Sequence, residues 1–221
     1  MARNKYPEET VRKILEVSRR LFMERGYDQT TIEDIIQELG MSKGAIYHHF
    51  KNKEEILYQV CESYYEEMDW FGEILKNPSF NALQKLEEIF SFELRDETKL
   101  SIDNMTLPLL KNPRMIALQL KSTMTEAAPE VAKIIEEGNR DGSLCVSQPR
   151  EAAEVILLLA NLWLNPTMFE VHADSFQEKV RFYLELLHHI GIPMNRERLM
   201  KLCEEYYQAV FLKGQEKEPR R

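Results

Sequence analysis

Glycine and proline are scarce: a chain of 221 residues holds 8 and 9 of them, below the average of about 12% for the pair. That excludes collagen-like, low-complexity and hairpin-rich folds. Valine (nine) and threonine (eight) are also few, which disfavours a large sheet. The three cysteines, Cys61, Cys145 and Cys203, are odd in number and far apart, so neither a disulfide framework nor a zinc knuckle follows. No run approaches about 18 uncharged apolar residues, and the opening residues lack the apolar stretch of a signal peptide. These absences predict a soluble, cytoplasmic protein with no membrane partner. No GxSxG, Walker A, HExxH or paired CxxC pattern occurs, so an enzyme is not expected, nor a metal or other cofactor.

Hydrophobic residues make up 43% of the chain and charged ones 30%, a balance that suits a solvated globular protein. The net charge of −8 is unevenly spread: residues 1–53 carry +2 and residues 54–221 carry −10. A mildly basic head on an acidic body can meet a polyanion with one end only.

With so few breakers, each glycine and proline reads as the punctuation of a helix, and the chain is predicted to be all-α. The first helix opens on Pro7-Glu8-Glu9, buries Ile14, Val17, Leu21 and Phe22, and closes at Arg25-Gly26. The second has Thr30 and Thr31 as alternative N-caps. It carries the stripe Ile32, Ile35, Ile36, Leu39, and ends before Gly40. Ser42 caps a short third helix, onto whose Ile46 Met41 can staple, and Asn52 caps a long fourth. Further helices are expected over about 80–97, between Pro108, Pro113 and Pro129, and up to Gly138 and Gly142. Others follow over 151–164, about 175–190 and 195–212.

Leu39-Gly40-Met41-Ser42 joins the second and third helices with the spacing of a helix-turn-helix. Helical geometry turns Ile46 and Phe50 toward the core and Gly44, Ala45, Tyr47 and His48 away from it. That outer face suits a DNA groove. Gly44 permits close backbone approach, Tyr47 and the histidines offer donors, and Lys43 lies in the first turn, where recognition helices meet bases. Lys53 adds charge to a helix N-terminus that already favours phosphate. The same pattern also describes an ordinary helical hairpin with a polar outer face, such as a protein-binding adaptor would carry.

The run Leu21-Phe22, Arg25-Gly26-Tyr27, Thr30-Thr31-Ile32, Ile35 and then Leu39 to Leu57 without a break resembles the DNA-binding domain of the TetR family of bacterial transcriptional repressors. The resemblance covers about residues 8–60. It implies a three-helix helix-turn-helix domain over 1–53 and a helical effector-binding and dimerisation domain over 54–221. It also implies a homodimer that holds a palindromic double-stranded operator until a small-molecule effector releases it; activation by the same head stays open. By position, Tyr47 and Lys53 match phosphate contacts, with His48 a further phosphate partner. Lys43, Ala45 and His49 fall where base contacts arise, and Thr31 and Ser42 double as caps and phosphate donors. The sequence departs from the family at Glu33, near where some relatives carry a base-reading arginine, so no base readout is expected from the second helix.

The segment 151–164 is apolar nearly all round and cannot hide both faces in a thin bundle. Either it lies within a single-chain core, or one face meets its copy in a second subunit. The resemblance favours a four-helix seam, with Leu157, Asn161, Leu164, Phe182, Leu186 and His189 as its expected residues. Phe90, Met105, Met115, Met124, Trp163, Met168 and Phe169 are the expected lining of an effector pocket. The alternative is that these residues fill the core. Flexible methionines adapt to bulky apolar ligands, and no tight basic cluster awaits an anion, so the effector is expected to be lipophilic. His188 and His189 point about 100° apart on a helix and do not chelate one ion together.

Overall fold

The computed structural model describes residues 7–67, 70–106, 113–165, 168 and 172–212, and every regular element among them is helical. The chain divides into two compact units, the first ending at residue 69 and the second starting at Trp70. The sequence reading divides it earlier, after residue 53. The first unit runs on because it takes in all of the fourth helix, whose Ile56, Leu57 and Val60 are fully buried.

The first unit holds α1 (Pro7–Arg25), α2 (Ile32–Leu39), α3 (Lys43–His49) and α4 (Lys53–Glu67). α1 packs against α2 and α4 around Ile14, Leu21, Phe22, Ile35 and Ile46, all at or near zero exposure. Phe22 meets the ring of Tyr27 edge-on at 5.3 Å, a favoured geometry for aromatic pairs. Gly40 terminates α2 in the left-handed region, at φ 61°. A side chain there would be strained, and only that reversal lets α3 start three residues later.

Of the two alternative caps of α2, Thr31 is the one used. Thr30 is buried instead, and its hydroxyl donates to the carbonyls of Gly26 at 2.9 Å and Leu21 at 3.3 Å. It therefore fastens the end of α1 to the turn rather than opening the next helix.

The second unit begins with α5 (Trp70–Lys76), α6 (Ala82–Arg95) and α7 (Glu97–Thr106). α8 (Pro113–Ser122) runs through a π turn at Thr123–Ala127 straight into α9 (Ala128–Asp141). Pro129 therefore does not interrupt the chain as expected, because the π turn shifts the hydrogen-bond register just before it. Pro108 lies outside the described residues. Gly138 is likewise not a stop. It sits inside α9 with the Leu144 side chain packed where a Cβ would be, and Gly142 ends the helix in the left-handed region.

α10 (Pro149–Leu158) continues as a π turn over Leu159–Trp163, and α11 (Ala173–His189) follows. α12 (Arg196–Tyr207) also ends in a π turn, Gln208–Leu212. α9 lies against α6 and α10, and α12 against α6 and α11. Together they close over Leu86, Ile135, Ala153, Val180, Tyr183, Leu187 and Leu199. No described helix is long and apolar enough to cross a membrane.

Candidate nucleic-acid interface

Three local caps set the geometry of the α2–α3 face. Thr31 Oγ1 accepts from Asp34 N at 3.1 Å, and Asp34 Oδ2 accepts from Thr31 N at 2.8 Å. This closes a capping box that satisfies donors at the start of α2. The Thr31 hydroxyl also donates to Asp34 Oδ2 at 2.6 Å, which holds the Asp34 carboxyl below its ordinary range. That proton would have to leave Asp34 to reach a phosphate. Ser42 Oγ accepts from Ala45 N at 3.3 Å, a role that uses its lone pair and not its proton. Asn52 Oδ1 accepts from Glu55 N at 2.8 Å and so caps α4.

Between these caps α3 is anchored by one side and bare on the other. Ile46 is 0% exposed and Phe50 4%, while Tyr47 is 41% exposed. Gly44 and His48 are exposed, and Ala45 and His49 half-buried. A Cβ added at Gly44 would meet nothing within 4 Å, so the backbone there lies open to close approach. The rings of His48 and His49 meet edge-on at 5.1 Å.

Lys43 opens α3, and its Nζ donates to Glu33 Oε1, from the first turn of α2, at 2.9 Å. It also stands 5.7 Å from the centre of the Tyr47 ring. The hydrogen bond between them lowers the Glu33 pKa and raises that of Lys43. The charge of Glu33 and its place in the first turn of α2 are visible in the sequence, but the ten-residue separation from Lys43 hides the pairing.

Lys53 is placed differently from a simple surface cation. Its Nζ donates to the carbonyls of Tyr27 at 2.7 Å and Thr30 at 2.8 Å, and it lies 4.0 Å from the centre of the Tyr27 ring. An ammonium has three protons, and two of these are spent inside the unit. Burial, and the negative charge of Glu54 after it, push the Tyr27 phenol well up.

Residues 14–60 match the family model of the bacterial regulatory proteins of the tetR family. These residues belong to the TetR family's N-terminal domain. An uncharacterised HTH-type transcriptional regulator of Bacillus subtilis, YerO, is 50% identical over 52 residues, which are 24% of this chain and 18% of that protein. The negative transcriptional regulator IcaR of the icaADBC biofilm operon in Staphylococcus aureus is 25% identical over 173 residues, 75% of this chain and 88% of its own. A TetR-family regulator from Pectobacterium atrosepticum shares the fold, with a TM-score of 0.62 at 22% identity over 88% of this chain and all of that one. The curated relatives that are 33% identical or more match over 52 to 87 residues, and the chain spans only 18% to 42% of their length.

In the second unit the residues expected at a seam differ in exposure, and Val155 adds a further exposed apolar side chain. Phe182 is 55% exposed and meets the Trp163 ring edge-on at 5.9 Å, and Val155 is 47% exposed. Leu157, Asn161 and Leu186 are half-buried and His189 is exposed, its Nδ1 2.7 Å from Glu185 O. Leu164 is part of the core of the second unit, at 8% exposure.

Of the residues expected to line a pocket, Phe90 and Trp163 both pack against the core of the second unit. Phe90 stacks on buried Tyr183 at 6.1 Å. Trp163 takes the Phe182 contact, with Lys179 Nζ 4.8 Å from the centre of its ring. Met115, Met124 and Met168 are half-buried. The Met105 side chain and Phe169 lie outside the described residues. Cys203 is buried, and burial pushes its thiol up to about 12, which keeps it protonated near neutral pH.

Proposed function

We propose that the protein is a homodimeric, DNA-binding transcriptional repressor of the bacterial cytoplasm. It reads double-stranded operator DNA with α3 of each subunit and is released by a small lipophilic effector held in the helical body. The observation that carries this reading is the outer face of α3. Lys43, Gly44, Tyr47 and His48 stand exposed on a helix capped by Ser42 and pinned by Ile46, and recognition helices contact base edges through their first turns. Lys43, Ala45 and His49 are assigned to the bases. Tyr47, His48, Ser42 and Thr31 are assigned to phosphates, and Lys53 supports the turn beneath them.

The exposed apolar side chains Val155 and Phe182 on α10 and α11 support a seam with a second copy. The half-buried methionines Met115 and Met124 support an adaptable apolar effector site. The likeness to a negative regulator, IcaR, supports repression over activation. The test is to incubate the purified protein with sheared genomic DNA from its source and sequence what it retains. One or a few palindromes should be enriched, and a panel of lipophilic compounds should release them. No enrichment by folded protein overturns the reading.

A further inference from the structure

We infer that Glu33 and Lys43 read one base pair together, as a donor–acceptor pair matched to the major-groove edge of G·C. The inference rests on the proposed function, since it names what two residues of that interface do. The two side chains start from the first turns of α2 and α3, and both are well exposed, at 64% and 65%. Lys43 Nζ and Glu33 Oε1 stand 2.9 Å apart, so the surface offers a proton donor beside an acceptor at hydrogen-bond spacing.

A Watson–Crick G·C pair offers the complementary array. Guanine O6 accepts and cytosine N4 donates, and because they bond to each other they too lie about 2.9 Å apart. Lysine on guanine O6 and N7 and a carboxylate on cytosine N4 are each favoured major-groove pairings. An A·T pair also places a donor beside an acceptor. It gives the ammonium thymine O4 alone, with a methyl group alongside, whereas guanine gives O6 and N7.

The pairing also sets what happens on wrong sequences. Off the matching pair, Lys43 stays with Glu33, and a neutral pair adds little to phosphate attraction. The head is thus spared a strong sequence-independent grip through its first recognition-helix lysine. Glu33, which sequence comparison sets aside as the loss of a base-reading arginine, becomes a specificity residue of its own kind.

Selection from a randomised duplex library tests this with wild type, E33Q, K43A and the exchange E33K/K43E, each checked for helicity by circular dichroism. Wild type should select a G·C pair in each half-site with a preference of about tenfold or more over other pairs. E33Q and K43A should lose that preference while keeping the rest of the motif. In E33K/K43E the ion pair survives with donor and acceptor exchanged, and the preferred pair should invert to C·G. An unchanged motif in E33Q or in the exchanged variant overturns the inference, since a merely structural ion pair predicts that result. A folded wild type that enriches no duplex overturns the DNA-binding reading beneath it as well.

Discussion

The Lys53 ammonium lies 4.0 Å from the centre of the Tyr27 ring and donates to the Tyr27 carbonyl at 2.7 Å. One side chain at the start of α4 therefore holds the turn between α1 and α2, and with it the start of the helix-turn-helix. Lys53→Met keeps most of the stem and removes the charge. It should destabilise the first unit by about 1–3 kcal/mol, for two charge-assisted hydrogen bonds and a cation–π contact. A phosphate contact would lower the salt slope of DNA binding by about one; a clamp should leave the slope unchanged while lowering the melting temperature. Melting curves and a salt titration of the same variant separate the two roles.

Asp34 gives the first unit an acid-sensitive cap. Its carboxyl is held below its ordinary value of 3.8, chiefly by the Thr31 hydroxyl and then the Thr31 backbone N–H. A depressed folded pKa contributes stability that is complete above the unfolded value and is lost as pH falls through the folded one. Asp34→Asn should therefore flatten the loss of stability below about pH 4, and Thr31→Ala should do so too while costing about 1 kcal/mol at neutral pH. Urea denaturation monitored by circular dichroism across the acid range measures both effects. An unaltered acid limb in both variants would assign the acid sensitivity elsewhere.

In the second unit a buried charge cluster ties α7 to α12. Lys99 Nζ reaches Asp103 Oδ1 at 2.6 Å and Glu93 Oε2 at 3.4 Å, and Tyr206 donates to Asp103 Oδ2 at 2.8 Å. Burial, with the Asp103 charge second, raises the Tyr206 phenol well above its usual range. Removing one member of such a group leaves the others buried with too few partners, so Asp103→Ala should cost about 3–5 kcal/mol. Tyr206→Phe, which deletes a single hydrogen bond, should cost about 1–2 kcal/mol. Chemical denaturation of the two variants should rank them in that order.

The end of α11 carries a different constraint. Gly191 has φ +97°, and a Cβ there would lie 1.9 Å from the Cys145 carbonyl oxygen. The same carbonyl-bearing residue donates its N–H to Gly191 O at 3.0 Å, so the two strands of chain cannot move apart without losing a hydrogen bond. Gly191→Ala should destabilise the second unit by about 2–4 kcal/mol, from backbone strain and the forced separation. Gly44→Ala should cost nothing by crowding, because that site is open, and should stabilise α3 by about 0.5–1 kcal/mol. A lower melting point for the Gly44 variant would contradict the open face drawn for α3.

What the sequence showed and hid divides by range. The caps Ser42 and Asn52 were legible, and Thr31 as one of two candidates beside Thr30, because capping is decided within four residues. Gly40 was legible for the same reason. The Lys53 clamp on Tyr27 and Thr30 and the Glu33–Lys43 pair join residues far apart in sequence, and no local pattern encodes them. Leu164, expected at the seam from the resemblance, is buried in the core of the second unit just after the π turn at Leu159–Trp163.

Phe182 offers the sharpest test of assembly. It is the most exposed large apolar side chain among the described residues, at 55%, with Val155 at 47% on the helix before it. Aromatic side chains at interface centres often contribute about 2 kcal/mol or more to association, and a charge in that position would be desolvated against its own copy across a two-fold axis. Phe182→Glu should therefore weaken self-association at least thirtyfold, the equivalent of about 2 kcal/mol. The helix content should remain close to wild type, since the side chain contributes little to the monomer core. Sedimentation at micromolar concentration should show a dimer for wild type and a monomer for the variant. DNA affinity should fall with the dimer, because one head contacts only half of a palindrome. A wild type that sediments as a monomer would remove the seam, and an unchanged dimer in the variant would move it to another face.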